Sequence, residues 1–351
     1  MNTHPAPSRD DEALNLFYEE DDPDRWLPFD RYPRRLVRRI VRGPKQPGGH
    51  MRVFLNLCAG LDRLGIRYRV NDYRRLRRNP GEVACVVGKP LVLAKIPRAT
   101  PIVFGAAGYD HPLSHPTLLT DHDIRGVLVP CEWARKMFEP HWGDKVHVWP
   151  VGIDTDDWKP SPDVAKDVDV LVYEKIRFHP ARDRTAVRDP ILLDLEARGL
   201  RVATLAYGHY REAQFQAMLA RSRSMVFLCE HETQGIALEQ ALSCDVPVFA
   251  WDLGGPWQDT NYYPHRVQFG PVTSVPYWDE RCGMKFRDAA EFTATFPRFW
   301  SGILGQAYTP RAYVTENLTL EACAHHYVEL VRRLIGGKVS VGPQKPGHGP
   351  V

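Results

Sequence analysis

The stretch HETQGIALEQALS (231–243) places a carboxylate three residues before a glycine, and an apolar helical pattern begins directly after that glycine. The pattern predicts a helix that starts at Gly235 and lies between two apolar, strand-like segments. The first amides of such a helix, those of Gly235, Ile236 and Ala237, have no intrahelical acceptor, and the helix dipole adds positive potential there. These residues therefore predict an anion site, and a phosphate is its natural occupant.

Glu232 is the informative residue of this stretch. A carboxylate is repelled by a phosphate, but it can accept hydrogen bonds from the hydroxyls of a sugar attached to that phosphate. Phosphate on the helix end and sugar on Glu232 together describe a sugar nucleotide. The alternative is that Glu232 only stabilises the helix dipole. The Gly-Gly turn of DLGG (252–255), after the next strand, favours the sugar nucleotide because it would line the same site.

The helix after Gly235 carries two more polar candidates. Leu238, Ala241 and Leu242 share one helical face, which we expect to pack on the sheet. Gln240 then points roughly away from the sheet, where it could reach a ligand such as ribose, and Glu239 points sideways. A solvated glutamine on a surface helix is the alternative.

Strand-like and helical segments alternate along most of the chain, which predicts α/β architecture with parallel sheets covered by helices. The length of 351 residues favours two domains. A polar linker at 155–167 divides the alternation into an N-terminal domain (31–154) and a C-terminal domain (168–335), with a flexible acidic arm (1–30) and a flexible tail (336–351). Ligands of open parallel sheets bind at the carboxyl ends of the strands, so we expect the site in a cleft between the two facing sheets.

The elements follow from the apolar periodicity. In the first domain the predicted strands are LVRRIV (36–41), RYRVNDY (67–73), ACVVGKP (84–90), PIVFGA (101–106), GVLVP (126–130) and VHVWPVGID (146–154), and the predicted helices are 51–66 and 131–142. In the second domain the predicted strands are 168–175, 201–208, 224–230 and 246–252, and the predicted helices are 191–200, 211–222, 236–244 and most of 310–337.

Composition narrows the function classes. A net charge of +3 is too small to indicate a nucleic-acid partner. Seven dispersed cysteines without a C-x2-C pair indicate buried free thiols in a reducing compartment rather than a zinc site. An acidic N-terminus and the lack of a long apolar run predict a cytoplasmic protein. The Arg-rich segments 31–42 and 75–79 could bring it to the anionic inner face of a membrane, or could be solvated arginines paired with the acidic arm.

Four segments in order resemble the GT-B glycosyltransferases, specifically the retaining family 4 (group 1) type. The resemblance covers most of residues 43–335. It is carried by ETQGIALEQALSCDVPV (232–248), similar to the family's E-x7-E segment, by VPCEWARKMF (129–138), by VHVWPVGIDTDDWKP (146–160) and by YVTENLTLEACAHHYVELVRRL (313–334). It implies two Rossmann-like domains with parallel sheets facing a central cleft, the first for the acceptor and the second for the nucleotide-sugar donor.

The resemblance also implies roles in the second domain. Glu232 takes the place of the glutamate that contacts the donor sugar, and Gly235 takes that of the glycine at the helix start. The ribose-binding glutamate falls at Gln240 in an ungapped alignment, with Glu239 one residue earlier, so both are candidates. We group Gln234, Ile236 and Ala237 with these donor-binding residues.

Further candidates come from the family's phosphate contacts. Lys175 is a catalytic candidate and Arg177 a donor-binding one, because the family supplies cations to the diphosphate after the first strand of this domain. Gly48 and Gly49 match its Gly-Gly loop near the donor phosphates, and His111 its cleft histidine. The alternatives are solvated loop charges and an ordinary loop histidine.

These roles imply a hexosyltransferase (EC 2.4 type) that moves a sugar from a nucleoside diphosphate to an acceptor hydroxyl with retention of configuration. The resemblance implies no metal or other cofactor and no covalent nucleophile. The acceptor would be a saccharide or a lipid-linked saccharide, as in polysaccharide biosynthesis. Two alternatives remain: a GT-B sugar-nucleotide epimerase or hydrolase, and a catalytically weak sugar-nucleotide-binding protein, which the glutamine at position 240 keeps open.

Overall fold

The computed structural model describes residues 13–20, 48–106 and 108–336. These residues form two compact units. Among them, the first unit takes those up to Pro130, Phe138–Trp149 and those from Leu320 onward, and the second takes Cys131–Met137 and Pro150–Thr319.

The chain alternates strands and helices, as the periodicity predicts. The strands are β1 (Leu14–Phe17), β2 (Tyr68–Val70), β3 (Ala84–Val86), β4 (Ile102–Gly105), β5 (Ile124–Val129), β6 (Val146–Val148), β7 (Val168–Glu174), β8 (Val202–Ala206), β9 (Ser222–Leu228), β10 (Val248–Trp251) and β11 (Gly283–Phe286). The helices are α1 (Gly49–Arg63), α2 (Tyr73–Arg78), α3 (Leu118–Asp121), α4 (Glu132–Trp142), α5 (Pro180–Asp183), α6 (Asp189–Ala197), α7 (Glu212–Arg221), α8 (Ile236–Ser243), α9 (Ala289–Leu304), α10 (Pro310–Asn317) and α11 (Leu320–Leu334). A π-helical turn at Arg184–Arg188 joins α5 to α6.

Each unit is built on one parallel sheet. In the described residues the strand order is β2-β1-β3-β4-β5-β6 in the first unit and β11-β10-β9-β7-β8 in the second, and every pairing is parallel. The α/β class with two parallel-sheet domains is therefore confirmed. Within the described ranges, none of the helices combines the length and the apolar character that crossing a membrane requires.

Strand β1 corrects the prediction of an acidic arm. The expected flexible arm at 1–30 is wrong for residues 13–20, because Leu16 and Phe17 are fully buried and β1 pairs with both β2 and β3. The acidic residues that suggested a solvated arm flank the strand, and Glu20, which follows it, pairs with Lys89 at 3.4 Å. The strand predicted at 36–41 lies outside the described residues, as does the Arg-rich segment 31–42.

Helix α11 packs on α1 inside the first unit. A Cβ atom at Gly60 would lie 2.4 Å from the carbonyl oxygen of Leu320, so only glycine permits this approach. The indole of Trp149 donates to the carbonyl of Cys323 at 2.9 Å. This differs from the predicted domain division, which placed the last helix in the C-terminal domain.

The second sheet has its topological switch point between β7 and β9. Strand β8 follows β7 in the chain but pairs with its outer edge, whereas β9 and β10 extend the sheet from the opposite edge. The residues that follow β7 and β9 therefore emerge side by side, which is where open parallel sheets bind ligands. The apolar core beneath includes Val172, Leu228 and Phe249. Strand β11 and helix α9, which were not predicted from the sequence, complete this unit.

Candidate functional site at the switch point of the second sheet

The loops after β7 and β9 bring two cations and two carboxylates together. Lys175 continues β7, and its amide donates to the carbonyl of Leu228, the last residue of β9, at 2.7 Å. Glu230 and Glu232 follow β9, so at the switch point the Glu232 side chain meets those of Lys175 and Arg177, and the Glu230 side chain meets the backbone of Arg177.

Lys175 and Glu232 form a buried ion pair. Their side chains are only 12% and 10% exposed, and the ammonium donates to Oε2 of Glu232. Arg177 lies behind the pair, with Nη2 3.8 Å from Oε1 of Glu232. Burial opposes ionisation of Glu232, but the charges of Lys175 and Arg177 outweigh it and lower the pKa of this carboxyl. Burial likewise disfavours the charged lysine, and Glu232 outweighs it and raises the pKa of Lys175. Both groups are therefore charged at neutral pH.

Glu230 fixes the loop that carries Arg177. Its Oε1 accepts from the amides of Arg177 at 2.8 Å and Phe178 at 2.9 Å. The guanidinium of Arg177 donates to the carbonyl of His231 at 3.0 Å, so the two loops hold each other. Glu230 was not predicted as a site residue from the sequence. Its signal was a second carboxylate at the end of the predicted strand 224–230, in the order E-H-E.

His231 is a buried neutral imidazole beside the ion pair. Its ring stacks on Phe178 with centroids 4.8 Å apart, and Trp133 meets it edge-on at 5.9 Å. Nε2 accepts from the amide of Gln258 at 3.1 Å. Burial, followed by the charge of Arg177, lowers the pKa of His231 to about 4. His231 was not predicted as a site residue from the sequence.

Gly235 forms the N-cap of α8 in a left-handed conformation, with φ 80° and ψ 37°. A Cβ atom there would meet only ordinary contacts, the nearest being Glu232 Cγ at 3.6 Å, so the conformation rather than the space requires glycine. In the described part of the chain, none of the amides of Gly235, Ile236 and Ala237 donates to a turn or loop carbonyl. The predicted helix start and its open amides are therefore present beside Glu232.

Gln234 and Glu239 have internal partners. Gln234 accepts from the amide of Val151 at 3.0 Å and donates to Oε1 of Glu239 at 2.7 Å. Glu239 is fully buried, its Oε2 has no partner among the described residues, and burial holds its pKa well above the usual range. Their contacts with a donor stay predictions.

Helix α8 is buried on more faces than its sequence pattern predicts. Leu238, Ala241 and Leu242 face the core, as expected. Gln240, expected on the open face, is only 7% exposed. The reason is that α10 packs against α8, and no local pattern in α8 records that neighbour.

The glycine turn after β10 begins a long connection that also reaches Glu232. Gly254 and Gly255 line a cavity of about 480 Å³ together with Tyr263 and Phe269. The same connection supplies the carbonyl of Thr273, which accepts from the amide of Glu232 at 3.0 Å.

The remaining candidates lie in the first unit. Gly48 and Gly49 form the N-cap and the first residue of α1, and a Cβ at either would have no neighbour within 4 Å. His111 is buried, and its Nδ1 accepts from the amide of Leu113 at 3.1 Å, which caps a short 3₁₀ turn. The phosphate and catalytic roles of these three residues stay predictions.

Metal-ligand chemistry is sparse in the described ranges. No group of three or more His, Cys, Asp or Glu side chains there is placed to hold a metal ion. The seven cysteines are buried free thiols, as their spacing predicts.

Two solved structures have a similar fold. AviGT4, a glycosyltransferase involved in avilamycin A biosynthesis, has a TM-score of 0.52 and 16% identity over 92% of this chain and 98% of its own. Anabaena Alr3699/HepE, solved in complex with UDP, has a TM-score of 0.57 and 12% identity over 91% of this chain and all of its own. No family model and no curated protein matches the sequence. At these identities the likeness shows the fold, which is GT-B.

Proposed function

We propose that this protein is a glycosyltransferase that moves a sugar from a nucleoside diphosphate to an acceptor hydroxyl with retention of configuration. The observation that carries the proposal is the meeting of Lys175, Arg177 and Glu232 beside the open amides of α8. Positive groups for a diphosphate and a carboxylate for a sugar stand at one switch point, where parallel sheets bind ligands.

The proposed roles follow from how charge develops in the reaction. As the bond to the sugar breaks, the diphosphate gains negative charge and the anomeric carbon gains positive charge. Lys175, Arg177 and the α8 amides stabilise the leaving diphosphate. Glu232 accepts hydrogen bonds from the sugar and orients it. The leaving phosphate takes the acceptor's proton on the same face, so the mechanism uses no metal, no other cofactor and no covalent enzyme nucleophile.

Binding requires the Lys175–Glu232 pair to open or to be shared. When a diphosphate binds, Lys175 donates to it instead of to Glu232. Glu232 then needs new hydrogen-bond donors, which the sugar hydroxyls provide. Loss of the buried pair is offset only by a ligand that supplies both groups.

The first experiment is a thermal-shift panel of UDP, GDP, ADP and their hexose conjugates. UDP comes first because the similar HepE was solved with UDP. We expect one nucleotide to raise the melting temperature, and Lys175→Met to abolish that shift. Arg221→Met is the matched control. Arg221 lies outside these loops and makes an exposed ion pair with Asp167, with 2.6 Å between the charged atoms. If no nucleotide shifts the wild type, the proposal fails.

Turnover then separates the functions. Donor consumption that depends on an acceptor supports transfer, and product analysis reports retention. Turnover without acceptor indicates an epimerase or hydrolase. Binding without turnover indicates a sugar-nucleotide-binding protein, which the glutamine at position 240, where the similar family has glutamate, favours.

We also propose a cytoplasmic location with peripheral contact to anionic membrane, where a lipid-linked acceptor would lie. In α2, Arg77 and Arg78 of the second Arg-rich segment (75–79) are exposed, as is Arg74 just before it. We expect weak binding to vesicles that contain phosphatidylglycerol, and its loss at high salt. A lack of binding to these vesicles at low salt refutes the proposed membrane contact, but it does not contradict the proposed transferase activity.

A further inference from the structure

His231 stands between the two functional glutamates and has no role in the mechanism above. We propose that His231 is a further donor-binding residue, whose Nδ1–H donates a hydrogen bond to a hydroxyl of the same sugar that Glu232 orients. The inference rests on the proposed function and adds a residue that recognises the sugar by a hydrogen bond.

The hydrogen bond at Nε2 fixes the tautomer. The backbone amide of Gln258 can only donate, so Nε2 must accept, and the proton of the neutral ring therefore lies on Nδ1. The stacking of Phe178 and the edge contact of Trp133 hold the ring in place, so Nδ1–H has a fixed direction.

Nδ1–H has no hydrogen-bond partner among the residues that the structure describes. His231 as a whole is only 3% exposed, but Nδ1 is not one of the fully buried polar atoms that lack a partner, so solvent or a ligand can reach it. A ligand oxygen that reaches Nδ1–H can therefore take the place of water as its acceptor. Trp133 also donates its indole N–H to the carbonyl of Glu232 at 3.0 Å, so the same aromatic side chain positions both residues.

The chemistry of the pair favours a hydroxyl as the ligand group. A hydroxyl both donates and accepts, and an imidazole N–H beside a carboxylate offers one donor and one acceptor. A phosphate accepts only, and it has stronger partners in Lys175 and Arg177. The ring also stays uncharged, because burial and the neighbouring Arg177 lower its pKa to about 4.

Two substitutions separate the two ring nitrogens. His231→Gln places an amide near the position of Nε2, so it can still accept from Gln258 but has no donor at the position of Nδ1. His231→Asn places its amide near the position of Nδ1, so it keeps a donor there but cannot reach Gln258. Thermal melting of both variants reports whether the fold survives.

Calorimetry with UDP and UDP-glucose, GDP and GDP-mannose, and ADP and ADP-glucose measures the nucleotide and the sugar separately. We consider the nucleoside diphosphate and the matching sugar conjugate that the wild type binds. We expect His231→Gln to lower the affinity for the sugar conjugate about tenfold and the affinity for the free diphosphate less than twofold. We expect His231→Asn to weaken the sugar conjugate less than His231→Gln does. Weaker binding by His231→Asn than by His231→Gln, or equal losses for conjugate and diphosphate, overturns the inference and makes His231 a tether for the Gln258 loop.

A second measurement needs no ligand. In ¹⁵N-histidine spectra at pH 7, assigned by the missing signal of His231→Gln, we expect the His231 ring to be neutral with the proton on Nδ1. A proton on Nε2 overturns the inference even if sugar nucleotides bind. If the wild type binds none of the six probes, the proposed function fails, and the inference fails with it.

Discussion

The Lys175–Glu232 pair yields the sharpest test of the site. Both side chains are about nine-tenths buried, so removing one partner leaves a buried charge behind. Such a loss typically costs about 3–5 kcal/mol, whereas replacing both partners by uncharged groups is often near neutral. We therefore predict that Lys175→Met and Glu232→Gln each destabilise the protein, and that the double variant recovers much of the loss.

The position of Arg177 makes the two single changes unequal. Lys175→Met leaves Glu232 with the guanidinium at 3.8 Å, a pair whose gross attraction is about 4 kcal/mol at an effective dielectric constant near 20. Glu232→Gln instead leaves two cations with no carboxylate between them. We expect Glu232→Gln to be the more destabilising change, and the melting temperature of a unit of about 180 residues to fall by about 10 °C.

The assay is a double-mutant cycle by thermal or urea unfolding, with UDP affinity measured on the same four proteins. Lys175→Met should lower the affinity for UDP. Glu232→Gln should leave UDP affinity unchanged or tighten it, because the carboxylate no longer competes for Lys175, while sugar transfer falls by orders of magnitude. A coupling energy below about 0.5 kcal/mol refutes the buried pair. An equal loss of UDP affinity in both single variants refutes the role of Glu232 as the sugar contact. Arg221→Met, from an exposed pair, should change stability far less than either of the single variants.

Three further predictions test the frame around the site. Burial raises the pKa of Glu239, so the native state keeps this proton at pH values above 4.5, where the unfolded state loses it. The free energy of unfolding of the wild type should therefore fall, relative to that of Glu239→Gln, by up to about 1.4 kcal/mol per pH unit above 4.5. Thermal melts of both proteins at several pH values measure this difference. Gly235→Ala should cost about 1–2 kcal/mol in urea unfolding, because alanine resists a φ of 80°, and an unchanged midpoint would contradict the left-handed cap. Glu230→Ala removes the acceptor of two amides, which should loosen the Arg177 loop and lower the affinity for UDP. Glu230→Gln keeps one acceptor oxygen and should lower this affinity less.

Local periodicity was sufficient to predict most of the fold. The buried strands β7 and β9 are apolar runs bounded by polar turns, and each pattern depends only on its own residues. The pattern failed where burial depends on distant residues. Strand β1 has only four residues in an acidic context, and α11 joins the first unit because Gly60 lets α1 approach it, a contact between residues about 260 positions apart.

The site shows the same division. The residues Glu232, Lys175 and Gly235 could be selected from the sequence because a carboxylate, a strand-end cation and a glycine at a helix start are each visible locally. Their pairing could not be selected, because it depends on β9 rather than β8 lying beside β7 on the inner side of the sheet. Glu230 and His231 were missed for the same reason, since their partners, Arg177 and Gln258, lie on other loops.

Under the proposed function, the ion pair also has a consequence for selectivity. Inorganic phosphate alone can take Lys175 and Arg177, but it leaves Glu232 buried beside an anion with no donor of its own, and that arrangement is unfavourable. A sugar nucleotide supplies phosphate oxygens to the cations and hydroxyls to the carboxylate, so every buried charge keeps a partner. The pair that closes the free site is therefore also the feature that favours a complete donor over its fragments.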